Sequence, residues 1–211
     1  MNWADNYLQH PELPATTPEE RAKYAAHFEL LKEWNTRFNL VSRKSIENAF
    51  AIHYADSLYL ADRASKHFTD DLPLIDLGTG AGFPGSVLAI RYPAKSILLL
   101  ERSVKKQTFL AETVKALELK NVRLGETFIG REKVRAFVMS RAVLAPADFF
   151  GYVAPFLANT SRVAVTVGGL AEFPKAPPAF RLLENATYTL PGDSGGRKIS
   201  IFEYVPRGTS R

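Results

Sequence analysis

The stretch Leu74-Ile75-Asp76-Leu77-Gly78-Thr79-Gly80-Ala81-Gly82-Phe83-Pro84-Gly85 constrains this chain more than any other. An apolar run ending in Gly-x-Gly-x-Gly is the pattern of a buried parallel strand that turns sharply into a helix. The glycines permit positive φ and let a ligand approach the main chain where a Cβ would collide. A second apolar run, Leu98-Leu99-Leu100, ends in Glu101, 23 residues after Gly78. An acid at that place can accept hydrogen bonds from both hydroxyls of a ribose. The two features together predict a nucleoside cofactor.

The spacing narrows which one. A dinucleotide fingerprint requires Gly-x-Gly-x-x-Gly, with close backbone approach to a pyrophosphate. Here the position of the third glycine is Phe83, and a bulky ring opposes a diphosphate. No Gly-Lys-Ser/Thr follows, which excludes a Walker loop. S-adenosylmethionine has no phosphate and suits a loop without a phosphate cradle. The expected cofactor-binding set is Asp76, Gly78, Thr79, Gly80, Ala81, Gly82, Phe83 and Glu101. Asp76 has two readings: it meets the cofactor's ammonium or an ordered water, or it orients the loop backbone by hydrogen bonds.

At 211 residues, 46% hydrophobic and 23% charged, the chain has the composition of an ordinary globular protein. No apolar run is long enough to span a bilayer, and the start lacks a signal-peptide pattern. There are no cysteines, so disulfides, thiolate metal sites and cysteine nucleophiles are excluded and a cytoplasmic location is expected. With four histidines, no zinc or iron constellation is formed, and no metal is expected. Charge is uneven: residues 1–71 carry 8 basic and 11 acidic side chains, residues 72–211 carry 19 and 11. A basic excess in the second part suits a polyanionic partner.

The chain divides at about residue 71. Residues 1–71 read as a small helical appendage: a short helix around Trp3–Gln9, one opened by Thr17-Pro18-Glu19-Glu20, and a second capped by Ser45 that runs to about Ala61. The Thr17 helix presents Tyr24, Phe28, Leu31 and Trp34 on one face. Residues 72–211 alternate, with strands near 73–77, 96–100, 121–124, 134–139 and 162–167 and helices near 84–92, 103–118 and 146–157. That alternation predicts an α/β fold with a mostly parallel, Rossmann-like sheet. Phe180–Leu190 and Lys198–Val205, joined through Gly192-Asp193-Ser194-Gly195-Gly196, read as a C-terminal antiparallel hairpin. A parallel sheet closed in this way resembles class I methyltransferases, by analogy of fold.

Three further groups stand out. Ser140-Arg141 follows the fourth strand, at the end where open α/β sheets border their ligand crevice, so Arg141 is read as a substrate or phosphate ligand. The bland alternative is a structural ion pair, with Asp148 as one partner. Lys105 and Lys106 are either a solvated helix face or phosphate contacts. His53, with Asp56 and Ser57 one turn on, falls among apolar residues and reads as a half-buried, hydrogen-bonded histidine, while Asp56 or Ser57 caps or braces the contact between the two parts of the chain.

In their order and spacing, Leu31-Lys32-x-Trp34-Asn35-x-x-Phe38-Asn39-Leu40, His53-x-x-Asp56-Ser57-Leu58, the 76–85 block and Ser140-Arg141-Ala142 resemble the RsmG (GidB) family, bacterial methyltransferases of guanine N7 in 16S ribosomal RNA. The resemblance covers roughly residues 24–170. It implies S-adenosylmethionine as cofactor, 16S rRNA or the 30S ribosomal subunit as partner, and a protein that acts as a monomer. Arg141, with Ser140, would position substrate, and Lys105, Lys106, Arg141 and Arg197 would bind RNA. Phe83 or Tyr54 would stack on a base. Guanine N7 already carries a lone pair, so a missing catalytic base is expected. Two departures remain. Where the family carries Lys-Gly after the fifth strand, this chain reads Val167-Gly168. The family's Ala-Glu pair at the adenine has two candidate positions here, Gly125–Phe128 and Gly130–Glu132. Methylation of another RNA or of a small molecule is the alternative if RNA contacts have been lost.

Overall fold

The computed structural model describes residues 7–128, 132–141, 144–191 and 195–206. Most of the expected Trp3–Gln9 helix, Gly130-Arg131, Ala142 and the Gly192–Ser194 turn lie outside the described residues.

Strand β1 (Leu74–Leu77) is buried at all four positions, as a run with apolar residues on both faces must be at the centre of a parallel sheet. It pairs in parallel with β2 (Ile97–Leu100) on one side and β4 (Phe137–Ser140) on the other. The sheet has seven strands in the order β3-β2-β1-β4-β5-β7-β6, with β3 at Val122–Gly125, β5 at Arg162–Gly168, β6 at Phe180–Tyr188 and β7 at Arg197–Tyr204. β7 runs antiparallel to both β5 and β6. The α/β reading and its terminal hairpin therefore hold. The fourth strand starts later than expected: Val134 forms only an isolated bridge with Leu157, and regular pairing begins at Phe137.

Helices cover both faces. Along β1 the side chains alternate, Leu74 joining a core with the N-terminal helices and Ile75 and Leu77 joining a second core with Phe149 and Phe150. Helix α1 (Pro18–Asn35) opens with a capping box between Thr17 and Glu20 and buries Tyr24, His27, Phe28 and Leu31. The next helix is capped by Ser42, not Ser45, and α2 ends after one short turn (Arg43–Glu47). A π-helical turn follows at Phe50–Ala55 and leads into α3 (Asp56–Ser65). The wider turn lets residues 53–58 be buried without interruption, which a helix with one apolar stripe could not do. Helices α4 (Gly85–Arg91), α5 (Val104–Ala116) and α6 (Pro146–Val153) complete the layers.

Candidate functional site

The glycine turn leaves β1 through three positive φ values, +73° at Gly78, +60° at Gly80 and +88° at Gly82. Its first two amides, Gly78 and Thr79, donate to the Leu100 carbonyl of β2 at 2.8 and 3.1 Å. Glu101 then pins the turn: Oε2 accepts from the Gly80 amide at 3.0 Å and Oε1 from the Ser103 amide at 2.8 Å. A cleft of about 340 Å³ opens here at the carboxyl ends of β1 and β2, lined by Leu77, Gly78, Leu100, Glu101, Arg102, Lys106, Glu126, Leu144 and Tyr152. Tyr152 and Thr127 share a hydrogen bond of 2.6 Å at its wall.

Asp76 sits beneath the turn. Its Oδ2 accepts from the Gly85 amide at 2.7 Å, while Oδ1 is buried with no partner. Both readings of this residue therefore retain an oxygen: one orients the loop, the other is left for a ligand or a water. Burial pushes its carboxyl up to about 6, against the nearby Thr79 hydroxyl and the Gly85 amide, which lower it. Gly85 has no room for a side chain, because a Cβ there would run into Leu99 and Asp76.

Phe83 turns the other way, into the helical layer. His53 stacks on it at 4.9 Å and 22°. Tyr54 and His27 meet it edge-on at 4.9 and 5.3 Å. Phe83 is 4% exposed and Tyr54 0%. Neither ring can reach a nucleobase, which overturns the expectation that one of them stacks on RNA: both rings are structural supports under the loop. His27 shares a hydrogen bond of 2.7 Å with the Tyr54 hydroxyl, and burial lowers its pKa to about 4.

Arg141, one residue past β4, donates from Nη1 to the Ile52 carbonyl at 3.2 Å and to Asp56 Oδ2 at 3.1 Å. Its Nη2 donates to His53 Nδ1 at 2.9 Å. An arginine can only donate, so His53 is neutral with its proton on Nε2. Burial, then Arg141 and His27, lower the pKa of His53 to about 3. The Tyr188 hydroxyl donates to the other Asp56 oxygen at 2.7 Å. The ion-pair partner of Arg141 is thus Asp56 rather than Asp148, and His53, 9% exposed, is more deeply buried than the expected half.

Arg141 and Arg197 border a second cleft of about 330 Å³, with Ile52, His53, Asp56, Tyr188 and the end of β5 (Thr166, Val167, Gly168). Across the β5–β7 ladder, Val167 faces Lys198 and Gly168 faces Arg197. Arg197 Nη1 also donates to the Gly196 carbonyl at 2.7 Å. The structure therefore sorts the residues singled out above into two places. Gly78 of the glycine turn, Glu101 and Lys106 line one cleft, with Asp76 buried beneath the turn; Arg141 and Arg197 border the other, and Phe83 packs against His53 on that side of the turn. Lys105 lines neither; it is exposed, with its amine 5.4 Å from the Phe38 ring. Ser140 is buried with its hydroxyl unpartnered. Sequence reasoning missed His27 and Tyr188. His27 lies three positions after Tyr24 on the same apolar face, a signal that was available; Tyr188 had none. Among the described residues, no group of three or more histidine and acidic side chains is placed to hold a metal, and no helix is long and apolar enough to cross a membrane.

Comparison with known proteins gives three findings. A family model described as rRNA small subunit methyltransferase G matches residues 20–172. The ribosomal RNA small subunit methyltransferase G of Bacteroides fragilis is 40% identical over 136 residues, 64% of this chain and 65% of that protein. The protein of the same name from Microcystis aeruginosa is 34% identical over 197 residues, 88% of this chain and 84% of that protein. The match thus spans slightly less than two thirds of the Bacteroides relative. Among solved structures, a mutant of MtNAS in complex with S-adenosylmethionine superposes with a TM-score of 0.59 at 13% identity, covering 89% of this chain and 77% of that one. A SAM dependent methyltransferase from Aquifex aeolicus gives 0.54 at 14% identity, covering 85% and 98%. At such identities the likeness is one of fold.

Proposed function

The chain belongs to the rRNA small subunit methyltransferase G family, and from that membership we propose that it methylates guanine N7 in 16S ribosomal RNA with S-adenosylmethionine as donor. The observation that carries this reading is the pairing of two clefts across one glycine turn: an acid-bordered cleft at Glu101 and a basic cleft at Arg141 and Arg197.

The residues of the first cleft fit the cofactor. Glu101 closes it with a carboxylate suited to two ribose hydroxyls, and beneath the turn Asp76 Oδ1 is a buried oxygen lacking a partner, suited to an ammonium. Glu126, on the wall of this cleft, is the better placed of the two candidates for the adenine-side acid. Lys106 belongs to the same wall, so its role is assigned to the cofactor cleft. When bound, S-adenosylmethionine supplies an electrophilic methyl group.

The chain's own part is orientation. N7 needs no deprotonation, so proximity and alignment can supply most of the rate. Arg141, held by Asp56, His53 and Ile52, cannot swing freely and presents a fixed positive charge to the second cleft. Arg197 stands opposite Gly168, beside the place where the family lysine is replaced by Val167, and supplies a cation there. Lys105, exposed and lining neither cleft, is assigned to backbone phosphates. The protein acts as a monomer in the cytoplasm.

Calorimetric titration with S-adenosylmethionine and with NAD tests the cofactor; binding of NAD alone would sink the reading. Transfer of labelled methyl to 30S subunits or stripped 16S rRNA, with the modified guanine mapped, tests the substrate. No incorporation into either would favour a small-molecule substrate.

A further inference from the structure

Two residues beyond Gly168, which lines the Arg141 cleft, Leu170 is 101% exposed, more than any other large apolar side chain among the described residues. One exposed leucine needs no explanation, but this one is held in place. It occupies the third position of a tight turn closed by the Ala171 amide donating to the Gly168 carbonyl at 3.0 Å. Gly169, beside it, lies so close to the backbone of Gly195 that a Cβ would collide. On the other flank Lys198 Nζ donates to the Ala171 carbonyl at 2.6 Å. A tethered turn therefore holds an apolar side chain out in water.

Its position gives this a use. Gly168 lines the basic cleft, and Leu170, two residues on, lies within about 7 Å of it. Arg197 and Lys198, facing Gly168 and Val167 on the adjacent strand, make the rim basic and suited to a polyanion. In a paired RNA helix N7 lies in a deep, narrow groove that side chains cannot read. A guanine in a cleft of this kind must leave its stack, at a cost of a few kcal/mol. Apolar side chains inserted between base steps hold such openings, and a side chain fixed beforehand loses little freedom on binding.

We propose that Leu170 is a wedge that enters the base stack of the RNA and fills the space left by the target guanine as it turns into the Arg141–Arg197 cleft. The inference rests on the reading of the protein as an RNA methyltransferase and adds to it the means by which a stacked base is taken. The turn gives the side chain its aim, and the flanking cations hold the phosphates on either side of the opened step.

The test compares Leu170→Ala and Leu170→Phe on two substrates: stripped 16S rRNA, and a short unstructured oligonucleotide carrying the same guanine. Leu170→Ala is expected to keep wild-type thermal stability and S-adenosylmethionine affinity. Its kcat/KM on folded rRNA should fall about tenfold, the scale of one lost stacking contact, with the oligonucleotide methylated as by the wild type. Leu170→Phe should restore activity on folded rRNA. A 2-aminopurine next to the guanine should brighten on binding wild-type protein and stay quenched with Leu170→Ala. Equal loss on both substrates, or loss on neither, would overturn the wedge. A wild-type protein inactive on both RNAs would overturn the methyltransferase reading, and the wedge with it.

Discussion

The guanidinium of Arg141 lies 5.5 Å from the centre of the Phe83 ring. One belongs to the basic cleft and the other to the glycine turn, so the contact joins the basic cleft to the turn through a single cation–aromatic pair, worth roughly 0.5–2 kcal/mol. His53 completes the joint, stacked on the ring and bonded to the guanidinium.

Phe83→Ala should therefore do two things at once. Loss of a buried ring costs about 3–5 kcal/mol, visible as a lower melting temperature. The turn above loses its support, and S-adenosylmethionine affinity should fall with it. Phe83→Leu, which keeps most of the volume, should recover most of the stability. Calorimetry on both variants measures the two effects separately.

Asp56 accepts from Arg141 and Tyr188 at once. Asp56→Asn leaves a half-buried guanidinium without its counter-charge, and breaking such a pair should cost about 2–4 kcal/mol. Tyr188→Phe removes only one hydrogen bond to a charged group and should cost about 1–3 kcal/mol. In RNA methylation Asp56→Asn should raise KM for rRNA while leaving S-adenosylmethionine binding near wild type. An unchanged KM would show that the pair is structural only.

Stability should fall with acid in a defined window. His27 and His53 have folded pKa values near 4 and 3, below the unfolded value of about 6.5. The unfolded chain therefore binds their protons first, and stability drops as pH falls through 6.5 and continues to drop toward pH 4. Asp76 acts in the opposite sense. Its folded value near 6 exceeds the unfolded one, so its contribution is fully present below about pH 4 and is lost as pH rises through 6. Two histidines outweigh one aspartate, and net acid destabilisation is expected. His53→Gln, which can still accept from Arg141, should flatten the profile of melting temperature against pH. A profile as steep as the wild type would refute the assignment.

Glu101 accepts from two backbone amides before any ligand arrives. Glu101→Ala loses these bonds as well as the proposed ribose contact. Charge-assisted hydrogen bonds of this kind are worth about 1.5–3 kcal/mol, so the dissociation constant for S-adenosylmethionine should rise at least about tenfold. Titration calorimetry measures it directly.

What could be read from the sequence was local. The glycine turn, its strand and the acid ending the next strand lie within 28 residues, and spacing alone predicted both the strands and the way they meet. The partner of Arg141 was different. Asp148 is seven residues away in sequence and Asp56 is 85, yet Asp56 is the one in contact, because the helical layer folds back over the ends of the strands. Likewise the Ser45 helix reads as continuous in a 3.6-residue pattern, and nothing in that pattern marks the π-helical turn at Phe50–Ala55 that buries His53 and Tyr54 side by side. Phe83 was read from its size as an obstacle to a diphosphate, whereas its direction, into the helical layer, is set by aromatic residues more than 25 positions upstream.

The reversed direction of β7 has one last effect. Every other strand beside the basic cleft reaches it with its carboxyl end. β7 alone begins there, and so delivers Arg197 and Lys198, opposite Gly168 and Val167, while Glu203 is carried to the far edge opposite Arg162. Were the same eight residues threaded the other way, Glu203 and Tyr204 would stand where the two cations are. The polarity of a single strand thus sets the sign of the field at that cleft.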